Sequence, residues 1–184
     1  MKTATKIVLL LLLLSLAANA KRRDPLTEAE ADQLREVAMQ PYQRIKLMIK
    51  FSEARLAAID QIRLDPKLAS DRGRQVHDLL EDFGNIIAEI SENLDQYEAR
   101  TLDKDTVKQY HKGLKELIEA DERFDLKLRT LKSASETDPV TKKEAPDFRF
   151  ALQDAVDVVK SNADVAREYM ETTHDEKDAP EKKK

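Results

Sequence analysis

The chain contains no cysteine and no tryptophan, and only three of its 184 residues are glycine. Without thiols there is no disulfide, no thiolate nucleophile, no covalent haem attachment and no cysteine-borne lipid. Stability must therefore come from packing. So little glycine argues against a β-sandwich, whose many tight turns need left-handed backbone, and favours helices. Catalytic signatures are missing as well. No Gly-x-Ser-x-Gly elbow, phosphate-binding glycine loop or His-Glu-x-x-His zinc helix occurs, and the expectation is a protein that is not an enzyme and carries no cofactor. The formal net charge is −4, with 32 Lys and Arg against 36 Asp and Glu. An acidic balance without a dense basic cluster argues against nucleic acid or an anionic membrane surface as partner.

What is present begins with a leader. Lys2 and Lys6 flank an apolar run from Ile7 to Ala18, interrupted only by Ser15, and Ala18-Asn19-Ala20 has the small-x-small form that signal peptidase accepts. Twelve helical residues cover about 18 Å, short of the ~30 Å hydrocarbon core. The expectation is a signal peptide over 1–20, cleaved after Ala20, and a secreted or periplasmic protein with no stable membrane span. Lys21, Arg22 and Arg23 open a basic arm over 21–26. Positive charge at that point resists translocation, so the alternative is a chain tethered through an uncleaved N-terminal segment.

Residues 27–170 read as one helical domain. Thr27 and Glu30 have capping-box spacing at the start of a short helix, 27–39. Pro41 breaks it and suits the first turn of a second, 41–64. The strongest amphipathic pattern follows within 66–100. Val76, Leu79, Leu80, Phe83, Ile86, Ile87, Ile90, Leu94 and Tyr97 fall at steps of three and four, hence on one face. Asp103 can cap the next helix, 104–131, with Leu102 and Val107 as a hydrophobic staple. So short a connection predicts that these two helices are antiparallel neighbours. Residues 133–146 (SASETDPVTKKEAP) lack periodicity and read as an exposed loop. A last helix spans 147–170, and 171–184 is too polar to pack and reads as a disordered tail. The expected fold is all-α: an antiparallel four-helix bundle with a short extra N-terminal helix.

Metal chemistry finds little footing. The one Glu-x-x-His pair, Glu171 and His174, falls in the polar tail. His77 and His111 would lie ~25 Å apart along an antiparallel hairpin and cannot share an ion. The sharper signal is polar residues on apolar faces. Arg55, Asp121 and Asn162 each sit at the centre of their helix's apolar face. A buried charge there needs a partner or water. If the last helix runs back along the one before it, Asn162 and Asp121 meet within a turn, with Arg55 about 10 Å off that level and nearer Asp125. These three either pin helix register or line a polar pocket. Two functions follow. One is a non-enzymatic exported module that binds a protein partner through its helix faces. The other is a carrier holding a small ligand or cofactor in that pocket.

Overall fold

A computed structural model describes residues 24–98 and 103–178, with side chains from 24 to 97 and from 103 to 172. The proposed signal peptide, most of the basic arm, the Leu102 half of the staple and the end of the tail lie outside the described residues. Within them the protein is all-helical. α1 spans Glu28–Glu36, α2 Pro41–Leu64, α3 Arg72–Glu98, α4 Lys104–Thr137 and α5 Pro139–Asp178, with a single 3₁₀ turn at Pro66–Leu68. Among the described residues no helix is long and apolar enough to cross a membrane.

The helix starts follow local chemistry. The Thr27 hydroxyl accepts from the Glu30 N–H at 3.3 Å, and the Glu30 carboxylate accepts from the Thr27 N–H at 2.8 Å. Two donors that a helix start leaves unpaired are thereby satisfied. Pro41 occupies the first turn of α2, where its missing N–H costs nothing. Asp65 caps the 3₁₀ turn through the Lys67 N–H, and Asp103 caps α4 through the N–H groups of Asp105 and Thr106.

The expected loop over 133–146 is not a loop. α4 continues to Thr137 and α5 begins at Pro139, so Asp138 alone separates two helices. Its carboxylate accepts from the Thr141 N–H and the Thr141 hydroxyl, both at 2.8 Å, which starts α5 eight residues before the expected point. Pro146 then sits inside a helix. The segment looked irregular because only Thr141 in it is buried. A helix turn with almost no core contact carries no hydrophobic period to read.

The four long helices pack in a cycle: α2 on α3, α3 on α5, α5 on α4, and α4 back on α2. Consecutive helices alternate in direction, yet two of the adjacent pairs run parallel. On α2 and α4, Tyr42, Glu53 and Asp60 meet Glu116, Arg123 and Lys127 in the same order. On α3 and α5, Arg72, Ser91 and Asp95 meet Glu144, Asn162 and Tyr169. The expectation that α3 and α4 are neighbours is therefore corrected, because they stand diagonally across the core. Five residues, 99–103, separate them, and an extended chain of that length reaches up to about 17 Å. The diagonal of helices packed 8–10 Å apart is about 11–14 Å, so shortness alone does not force adjacency.

Across that diagonal the core closes. The Phe83 and Phe124 rings meet edge-to-face with centroids 5.3 Å apart, and Tyr97 meets Tyr110 at 5.8 Å. On α3, Phe83, Ile86, Ile87, Ile90 and Leu94 are all fully buried. α2 and α4 approach closely at Gly113: a Cβ there would lie 2.9 Å from Ile45 Cδ1, so the Ile45 side chain would have to shift, and 3.5 Å from the Tyr42 Cα, an ordinary contact.

Candidate functional site

Two of the three polar residues singled out from the sequence come together. α5 runs back along α4, which sets Asn162 against Asp121, and the Asn162 side-chain amide donates to Asp121 Oδ2 at 2.8 Å. The other end of the same amide accepts from the Ser91 hydroxyl at 2.7 Å. Asp121 is 1% exposed and Asn162 fully buried. α3 thereby contributes a polar residue, Ser91, from within its apolar stripe. That residue lies four after Ile87 and three before Leu94, inside the apolar stripe, and its spacing carried the signal.

Electrostatics at the trio follow from burial. Desolvation pushes the Asp121 carboxyl up to about 7, opposed by the Asn162 hydrogen bond and the more distant Arg167 charge. Oδ1 of Asp121 has no hydrogen-bond partner among the described residues. With no cation in contact among the described residues, its neutral form is favoured far more than in an exposed carboxyl. It can take up or release a proton and hold α4, α5 and α3 in register. Among the described residues, five clefts between the helices are lined by residues other than Asp121, Asn162 and Ser91.

Arg55 is not part of this group, which corrects the expected association with Asp121 and Asp125. Its guanidinium turns to the side of α2 that α1 covers. There it forms two parallel hydrogen bonds to Glu30, at 2.7 and 2.6 Å, and a third to the Pro25 carbonyl at 2.7 Å. The Arg55 hydrogen bond is the main reason the Glu30 carboxyl is held down to about 2, with desolvation opposing it and Thr27 assisting. Asp125 is instead paired within its own helix, to Arg129 at 2.6 Å. A second arginine that the sequence did not flag completes the strap. Arg44 donates to the Leu34 carbonyl at 3.3 Å, to Asn93 at 3.1 Å and to Glu89 at 2.9 Å, tying the end of α1 to α2 and α3.

His77, Asp78 and Glu81 bring potential metal-ligating atoms within 4.8 Å of one another. All three stand on one solvent-facing stretch of α3 and would leave much of an ion's coordination sphere to water. His111 is buried on α4. Of the tyrosines on the core side, Tyr97 and Tyr110 pack against each other, and the Tyr169 hydroxyl donates to Asp95 at 2.7 Å.

Comparison with protein families, curated proteins and solved structures gave no match.

Proposed function

We propose that this chain is an exported, non-enzymatic interaction module that engages a protein partner through the outer faces of its helices. In this reading α2 to α5 form a four-helix bundle, and α1 is the extra N-terminal helix strapped onto it. The observation that carries the proposal is the closed state of the interior polar group. Asp121 and Asn162 are buried and hydrogen-bonded to each other among largely apolar side chains, and such a trio fixes helix register without needing a ligand. What remains for recognition is the exterior, where charged side chains surround a few exposed apolar ones such as Leu126 and Phe150. Export rests on the Lys2 and Lys6 flank, the Ile7–Ala18 run and the Ala18-Asn19-Ala20 step.

Cross-linking the chain in its native exported fraction, followed by capture and mass spectrometry, tests both parts. The expected result is a mature N-terminus at Lys21 and one partner recovered in comparable amount. A chain found only in the cytoplasm, or one that cross-links to nothing, removes the proposal. A second reading, a small-ligand carrier, is favoured by one atom: the unpartnered Asp121 Oδ1. Protein purified from its host with a clean absorbance spectrum and no bound metal or small molecule would remove that reading.

A further inference from the structure

A cleft of about 470 Å³ runs between the parallel helices α3 and α5. Four carboxylates line it, Asp78, Glu81 and Asp82 from α3 and Asp154 from α5, and among the described residues no lysine or arginine does. Contacts along this helix pair join residues 71 to 74 apart, from Ser91 with Asn162 to Asp95 with Tyr169. That offset sets Asp154 level with Glu81 and Asp82, so both helices bring negative charge to one mouth. Two arginines act on the group through space, Arg74 on Asp78 and Arg55 on Asp82. Their own donor forks are committed elsewhere, to Asp71 and to Glu30.

An imidazole separates this group from ordinary surface acids. His77 stands four residues before Glu81, the spacing that puts two side chains over one another on a helix. Its Nε2 lies 3.9 Å from Glu81 Oε1, and its Nδ1 lies 3.5 Å from Asp78 Oδ1. Two ligands held about 2.1 Å from a tetrahedral ion are about 3.4 Å from each other. The His77–Glu81 pair is therefore within about 0.5 Å of a chelating separation, which a small side-chain rotation supplies. With Nε2 on the ion, the Nδ1–H is directed at Asp78, and such a carboxylate fixes both the tautomer and the direction of the ring. Imidazole together with carboxylate suits divalent transition metals, whereas magnesium and calcium take oxygen ligands.

We infer that His77, Glu81 and Asp154 bind a divalent transition-metal ion at the mouth of the α3–α5 cleft, with Asp78 orienting the imidazole and water completing the coordination. A bound ion ties together the outer edges of two helices that the core already holds parallel. The site rests neither on the Asp121 trio nor on a protein engaging the helix faces. Looking for two histidines on one level of the bundle misses it, because one imidazole serves and the other ligands are carboxylates from two helices.

The test follows the backbone and imidazole NMR resonances of the chain, purified without a histidine tag, during separate titrations with Zn²⁺ and Mg²⁺. Saturable movement of His77, Glu81 and Asp154 with Zn²⁺, and none with the same concentration of Mg²⁺, is the expected result. His77→Ala should abolish that movement, and Asp78→Asn should weaken binding about tenfold, with helix content unchanged in both. Asp154→Asn should weaken it too and shrink the rise in melting temperature that Zn²⁺ gives the wild type. Mg²⁺ moving the same signals to the same extent overturns the inference and leaves a surface that attracts counter-ions. Zn²⁺ acting only at Glu171 and His174, or nowhere, overturns it as well. So does wild-type affinity in His77→Ala, while wild-type affinity in Asp154→Asn overturns the part assigned to α5. The wild-type resonances decide the question even if a variant unfolds.

Discussion

Two carboxylates in this molecule, Asp121 and Glu30, are both drawn out of water by helix packing, and their acidities move in opposite directions. Asp121 meets only an amide, and its carboxyl rises to about 7. Glu30 meets the Arg55 fork, and its carboxyl falls to about 2. Withdrawal from water does not by itself decide the charge of a carboxylate. What decides it is whether a cation reaches the site, and a helix face read alone does not reveal that.

The largest effect expected from breaking the comparison is at Asp121. Its folded value lies above the unfolded 3.8, so the native state holds the proton more tightly and stability falls as pH rises from about 4 through 7. A shift of roughly three units corresponds to a penalty on the order of 4 kcal/mol, complete above neutrality. Asp121→Asn keeps an acceptor for Asn162 and removes the titration. Denaturant melts should show the variant clearly more stable than wild type at pH 8 and equal to it at pH 4. Equal stability at both values would mean that Asp121 reaches solvent.

Next in size is the strap. Arg55→Ala leaves Glu30 without its cation and the Pro25 carbonyl without its donor, at about 2 kcal/mol for charge-assisted hydrogen bonds. Hydrogen exchange should show protection lost over 28–36 and kept in α3, because α1 packs mainly on α2. Simultaneous loss in α3 would make α1 part of the core rather than a cover. The pH dependence here has the opposite sign. Glu30 is lowered, so its contribution is present above its ordinary 4.5 and is lost as pH falls toward 2. In Glu30→Gln the acid limb of a melting-temperature profile should flatten between pH 4.5 and 2. Together the two carboxylates place maximal stability near pH 4.

The smallest effect is at the outer end of the trio. Ser91→Ala removes one hydrogen bond from the Asn162 side chain and should cost about 1 kcal/mol, read as a small drop in denaturant midpoint. A cost of several kcal/mol would indicate that Ser91 orients Asn162 and through it controls Asp121.

Much of this architecture was legible. Thr27 with Glu30, Pro41 and Asp103 marked helix starts, because capping is a matter of neighbours a few residues apart. The α3 stripe marked the core, and helix counting put Asn162 against Asp121. The 133–146 segment was misread because its exposed turns carry no hydrophobic period, and the Asp138 and Thr141 contacts that start α5 there were not recognised as a cap. Ser91 was overlooked inside a strong apolar pattern, although its position four after Ile87 was visible. Arg44 and Arg72 look like ordinary surface arginines until α1 and the helix turns are folded over them.

By itself the sequence determined that the chain is helical, the starts of α1, α2 and α4, and the apolar faces that must meet, since these depend on periodicity and local hydrogen bonding. Only the tertiary structure decided which helices became neighbours, that α3 and α4 face each other across the core, and that Arg55 serves α1 rather than Asp121. A helix face specifies what it must bury, but many arrangements bury it equally well. The choice among them rests on contacts between residues far apart in the chain, such as Asn162 with Asp121 and Arg55 with Glu30.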